Sequence, residues 1–329
     1  MVRFVLGLAL VYAAYIEHLL MLLTIIFVTN IFSAIFIPTR SAFIPRIINK
    51  DHIVSANSAI LISFNVMMVV ATAIGGILSE LFGVLPILLA SAITYFIAGL
   101  FIMPINFSSE KKGKTPFSYW HDLKIGFQSA ISSNQLKSTF ILNCTRDFVL
   151  GAVNVMFNAI ILTVFLAGET GIGFGYAATA LAYVVIGLVI KKRLKVATLS
   201  NVSQFARLSL VLSISYGILL AFGFSANSFM LFLLLVFLMN LPQGTMNILF
   251  ESSVMYNAKD EQKGRVFSLL MTVTRLGYLA GLLFYMLLGD SLPLTAFGWI
   301  LCALLSVVGI VNYYMYKATD RSLKEKQVG

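Results

Sequence analysis

With 59% of its 329 residues hydrophobic and 11% charged, and a mean hydropathy of +0.94, the chain lies far from the composition of soluble domains, which are nearer half apolar and a quarter charged. At about 20 apolar residues per crossing, the length is taken up by roughly ten membrane spans, and a soluble catalytic domain is excluded. The net charge of +10 would point to nucleic acid in a soluble protein. In a bilayer it is read loop by loop, because cytoplasmic loops collect Lys and Arg, so the lipid bilayer is the expected partner and nucleic acid is not.

In chain order, residues 1–16 hold Arg3 and then an apolar run read as a span. A signal peptide is the alternative, but Ala13-Ala14-Tyr15 is a poor small-x-small cleavage site and another apolar segment begins directly after Glu17 and His18. Further segments run near 18–37, 56–79, 84–104, 138–165, 171–190, 205–224, 228–250, 266–288 and 293–316. Each is helix-length and lacks the ten-residue alternation of barrel strands. The expected fold is therefore all-α and polytopic, with about ten transmembrane helices. Residues 1–104 form a four-span N-terminal set and 105–137 a central polar loop; 138–316 form a six-helix bundle and 317–329 a tail. Cys144 and Cys302 each sit inside an apolar segment, which argues against a disulfide framework or a cysteine metal centre.

The charges alternate from turn to turn. Arg40, Arg46 and Lys50 share one loop, and Lys111, Lys112, Lys114 and Lys124 the central one; Lys191, Lys192, Arg193 and Lys195, then Lys259, Lys263 and Arg265, and finally the tail, fall at every second turn. The turns between them hold Glu17, Glu80, Glu169 and Asp290 and no Lys or Arg. The positive-inside rule then places both termini and the central loop in the cytoplasm of a multi-pass inner or plasma membrane protein. A weak internal repeat, with Lys50-Asp51 matched by Lys259-Asp260 between corresponding helices, supports two related halves.

Two helices carry polar stripes. Asn143, Asp147, Gly151, Asn154 and Asn158 follow one another at spacings of 4, 4, 3 and 4 and share a helix face. Polar groups in a span avoid lipid, so these face a bundle interior or a water-filled cavity, and Asp147 is the functional candidate. Its neighbour Arg146 projects about 100° away, which leaves the two free to find different partners. Asn240, Gln243, Asn247 and Glu251 form the second stripe, with Pro242 and Gly244 loosening the backbone; Glu251 is placed at the cytoplasmic mouth. The competing reading of both stripes is hydrogen bonding between packed helices, which is also the reading of Ser58, Asn65, Thr72 and Ser79. Arg207 and Arg275 lie near helix ends and can snorkel, Arg275 being the deeper and a candidate partner for an anionic group. Residues 117–135 form a candidate amphipathic surface helix with Trp120, Leu123 and Phe127 on one face. Gly113-Lys114-Thr115 lacks the rest of a phosphate loop, and His18, His52 and His121 are isolated. No nucleophile, metal or paired-carboxylate constellation points to an enzyme.

The stretch FIPTRSAFIPRIINKDHIVSANS, residues 36–58, resembles the major facilitator superfamily, in particular its macrolide-efflux and enterobactin-exporter branch. Pro38, Arg40, Ser41, Ala42, Pro45, Ala56 and Asn57 match a motif joining that branch's fourth and fifth helices. Gly75, Gly76 and Gly83 fit the same branch, as does KGRVFSLL with Gly264 and Arg265. The resemblance implies a two-bundle fold in which the ten segments, four plus six, correspond to helices three to twelve. The family's first two helices and their glycine-aspartate-arginine loop are then absent, and Ala71 and Thr72 stand where the family often has glycine-proline. It also implies a secondary active transporter that exports amphiphilic small molecules of drug, macrolide or siderophore type by alternating access. Such a transporter needs no bound cofactor and is driven by a proton or other ion gradient. The seventh and tenth family helices line the central pathway. On that basis Asn143, Asp147, Asn154, Asn158, Asn240, Gln243 and Asn247 are the expected pathway residues, with Asp147 as the coupling group. A shortened, non-transporting paralogue or interaction protein is the alternative, and a nutrient-uptake permease a further one, since fold does not give direction.

Overall fold

A computed structural model of the chain describes residues 2–103, 119–132, 134–193, 197–259, 262–289 and 291–328, and these are helical almost throughout, with no strand among them. The helices are α1 (Val2–Tyr15), α2 (Leu19–Ile47), α3 (Ile53–Phe82), α4 (Val84–Ile102), α5 (Tyr119–Ser132), α6 (Asn134–Ala159), α7 (Gly168–Arg193), the short α8 (Ala197–Ser200), α9 (Val202–Gly223), α10 (Phe229–Asn257), α11 (Lys263–Leu288) and α12 (Leu294–Val328). A π-helical turn, Ile160–Val164, prolongs α6. All ten expected apolar segments are thus helical over nearly all of their described residues. Eight helices among the described residues are long and apolar enough to cross a membrane, and Val2–Tyr15 and Ile53–Met68 are shorter apolar stretches. The chain is an all-α, multi-pass membrane protein.

Several boundaries differ from the sequence reading. The basic motif around Arg40 is helical, because α2 runs on to Ile47; at about 1.5 Å per residue its 29 residues reach about 44 Å, beyond the ~30 Å hydrocarbon core. Within the central stretch, α5 falls inside the candidate helix of residues 117–135, and the first turn of α6 begins before residue 138, where the loop is expected to end. Residues 317–328, read as a tail, continue α12. Lys111, Lys112, Lys114, Lys195, Asp260 and Asp290 lie outside the described residues.

The chain separates into two compact units. The first comprises residues 1–40 and 70–118. In it α1 meets α4 closely, since Gly7 lies against Ala92 and leaves no room for a side chain. Phe4 and Phe96 stack with ring centroids 5.0 Å apart. The Arg3 guanidinium sits over the rings of Phe36 and Tyr95, at 5.3 and 5.5 Å, a contact that stabilises a cation near an apolar surface. Gly83, at φ 78, permits the abrupt turn from α3 into α4.

The second unit comprises residues 41–69 and 119–329. Its main core gathers Val149, Met156 and Ile161 with Phe205, Leu220, Phe232, Leu249, Phe297 and Leu301. A smaller cluster joins Ile53, Ala130, Leu136, Val254, Val266 and Phe267. Helices α6 and α11 approach through small residues. Gly277 and Gly281, one turn apart, lie on the carbonyls of Cys144 and Phe148, while Gly151 lies on that of Tyr278, the close backbone contact by which spans associate in lipid. The α9–α12 seam has the same character, with Gly217 against Cys302 and Gly309 against Ser213. Residues 41–69, grouped by sequence with the N-terminal set, pack in this unit: Asn57 donates to the Ser252 hydroxyl at 2.9 Å and to the Met255 sulfur at 3.3 Å. On α5, the side chains of Trp120 and Leu123 lie outside the described residues. Gly126 abuts the Arg265 carbonyl and Ala130 enters the core, whereas Phe127 is exposed.

Candidate functional site

The α6 stripe supplies the centre of the site. Asn143 is 2% exposed, and Arg146 and Asp147 are each 8% exposed. Arg146 and Asp147 do not find separate partners: Nε and Nη2 of Arg146 donate to the same oxygen, Oδ1 of Asp147, at 3.1 and 2.9 Å. The long arginine stem bends across the 100° that separates the residues on the helix, because two charges buried in a span are held far more cheaply together than apart. Nη1 of Arg146 and Nδ2 of Asn143 remain buried with no hydrogen-bond partner. The carboxylate of Glu251 and the hydroxyl of Tyr183 lie within electrostatic reach of the guanidinium. Glu251, expected at a cytoplasmic mouth, is half-buried and belongs to the same charged neighbourhood.

Helix α7 supplies Tyr183, whose hydroxyl donates to Oε1 of Gln243 on α10. The ring fits against the helix because Gly244 has no side chain; a Cβ there would stand 2.7 Å from the tyrosine ring. Pro242 lies inside α10, and without an N–H it cannot complete the helical ladder to Leu238. One turn earlier, Nδ2 of Asn240 donates to Val236 O at 2.7 Å and to the Thr179 hydroxyl at 3.3 Å. Tyr216 of α9, fully buried, is within electrostatic reach of Tyr183, Arg146 and Asp147.

The expected pathway residues therefore divide. Asn143 and Asp147 on α6 and Asn240 and Gln243 on α10 are buried. Asn247 is half-buried, as is Asn158, whose Oδ1 is buried without a partner. Asn154 is exposed, and Gly151, the middle of the stripe, packs against α11. Sequence reasoning missed Thr179, Tyr183 and Tyr216. The available signal was that Thr179 and Tyr183, four residues apart, share a face of α7; across the α7–α10 seam they bond Asn240 and Gln243, three residues apart on α10. Arg275 is exposed.

Of the motif residues, Asn57 and Pro45 are buried. Arg40 is half-buried, with a buried Nε that has no partner. Gly75 and Gly76 are helical in α3, Gly264 faces Ala42, and the backbone of Arg265 meets α5. The side chain of Pro38 lies outside the described residues. Ser58 and Asn65 are buried and bond their own helix, to Val54 O and Leu61 O. Among the described residues, no group of three or more His, Cys, Asp or Glu could hold a metal ion.

A solved structure described as a bacterial homologue of the iron transporter ferroportin in an outward-facing state is similar to the chain, with a TM-score of 0.57 and 17% identity. The similarity covers 83% of this chain and 66% of that one, so the chain spans just under two thirds of its length. No curated protein matches. The family model of the Major Facilitator Superfamily matches residues 1–201, more than half of the sequence, and the chain belongs to that superfamily.

Proposed function

We propose that the protein is a secondary active transporter that exports amphiphilic small molecules by alternating access, within the macrolide-efflux and enterobactin-exporter branch that residues 36–58 resemble. The observation that carries this reading is the Arg146–Asp147 pair, held in a span with side chains 9% and 11% exposed and beside the Tyr183–Gln243 bond of α7 and α10. A buried ion pair is weak evidence for stability, and charged residues inside spans mark substrate paths and proton relays. Asp147 is the group that takes up and releases the coupling proton. When protonated it surrenders its hold on Arg146, which changes how α6 is bonded to its surroundings. Asn143, Asn240 and Gln243 line the substrate path next to this pair, with Asn154, Asn158 and Asn247 extending it along α6 and α10.

Purified protein in liposomes with an imposed pH gradient tests the reading, using rhodamine 6G and erythromycin as probes. Wild type is expected to move at least one of them in a gradient-dependent way. Asp147→Asn is expected to abolish the gradient dependence and flatten the pH profile of transport. An active, correctly folded Asp147→Asn variant with an unchanged pH profile would remove the coupling assignment, and no flux of either probe in folded wild type would remove the export reading.

A further inference from the structure

Two donors are left over in the polar centre of α6. Asn143 and Arg146 are three residues apart on α6, and Nδ2 of the first and Nη1 of the second, on side chains more than nine-tenths buried, have no hydrogen-bond partner. Their neighbours are served: Nε and Nη2 of Arg146 are taken by Asp147, and the Tyr183 hydroxyl donates to Oε1 of Gln243. A buried N–H without an acceptor bears the full cost of its desolvation, and in a span there is no bulk water to relieve it.

The chemistry of what would fill this place follows from the charge already present. Asp147 neutralises Arg146, so the remaining N–H requires an acceptor lone pair and no counter-charge. A carboxylate would add an unpaired negative charge to a buried pair and have to lose its own hydration. A cation has no lone pair to offer and would face two N–H dipoles by their positive ends. A carbonyl, lactone or ether oxygen can accept from such donors and leaves the charge balance unchanged.

We propose that Arg146 Nη1 and Asn143 Nδ2 form a subsite for a neutral oxygen acceptor of an amphiphilic ligand, so that the substrates are oxygenated, carbonyl- or ether-bearing molecules. This rests on the transport reading above and specifies its substrate class. It also gives Arg146 a direct role in binding ligand besides holding Asp147.

Three amphiphiles with the same twelve-carbon chain isolate the head group: N,N-dimethyldodecanamide, dodecanoate and dodecyltrimethylammonium. Their affinities are measured by calorimetry on the protein in lipid nanodiscs, with empty nanodiscs subtracted. Wild type is expected to bind the amide most tightly. Asn143→Leu removes one donor at similar volume. Arg146→Lys keeps a cation beside Asp147 but loses the planar fork. Each is expected to weaken amide binding about five- to tenfold, the worth of one hydrogen bond, while dodecyltrimethylammonium binding stays within about twofold. Should Arg146→Lys fail to fold, judged by its thermal unfolding, Asn143→Leu alone decides. Unchanged amide affinity in the folded variants, or a wild-type preference for either charged head group, would mean that ordered water alone serves these donors and would overturn the subsite. Transport of rhodamine 6G or erythromycin by that same wild-type protein would leave the transport reading standing. Absence of binding and of flux for every probe would remove both.

Discussion

Asp147 receives both hydrogen bonds from its neighbour on one oxygen, in a span where neither charge can be left alone. That geometry makes the pair asymmetric to mutation. Asp147→Leu leaves a buried guanidinium without its counter-charge and should destabilise the protein by about 3–5 kcal/mol, whereas Arg146→Met with Asp147→Leu replaces both charges by apolar volume and should recover most of that loss. Thermal unfolding of both variants in detergent checks this; a double variant as unstable as the single one would mean that the pair is not what the mutation breaks. Asp147 is visible in the sequence as an expensive residue, but its partner is not. Helical angle separates adjacent residues, and only the course of a flexible arginine stem closes the gap. Asn57 gives the same lesson, since a motif residue near the start of α3 proves to be a donor to Ser252, far away in the chain.

At the scale of elements, the α6–α11 seam depends on the absence of side chains. Gly281 lies so close to the Phe148 carbonyl that no side chain fits without moving the helices apart, and lipid supplies no hydrophobic force to draw them back. Gly281→Leu should therefore strongly reduce the yield of monodisperse protein on size-exclusion chromatography. Gly173→Ala on α7, where nothing stands within 4 Å, should leave the yield unchanged, because alanine is the better helix former. The glycine pair Gly277 and Gly281 could be seen in the sequence without any sign of what it meets. Gly151 was read with the polar stripe because it shares the period of Asp147, yet it packs on Tyr278. In α5, the large apolar residues outline a surface face that includes Phe127, while the contacts with the rest of the unit fall to the small residues Gly126 and Ala130, which no sequence pattern singled out.

At the scale of the whole molecule, the alternation of basic and acidic turns predicts one orientation, with both termini and the central loop in the cytoplasm. A green fluorescent protein fused after Gly329 is expected to fluoresce. Alkaline phosphatase inserted at Ser291, in the turn between α11 and α12, is expected to be active. The opposite pair of signals would invert the topology and the direction assigned to transport. The grouping of residues 41–69 with 119–329 could not be read from the order of spans, because chain order lists neighbours in sequence and the compact units cut through both α2 and α3.

Composition and segment length were enough to establish that the chain lives in a bilayer and crosses it as helices, because both act on each segment alone: lipid demands internal hydrogen bonding and about 20 apolar residues per crossing. Periodicity further marked which faces of α6 and α10 are polar. The meeting of Tyr183 with Gln243, of Gly281 with Phe148 and of Asn57 with Ser252, and the survival of two unserved donors on α6, were decided by tertiary structure. Such contacts join residues distant in sequence at ångström precision, and a helical period tells which face a residue occupies but not which neighbour that face will find.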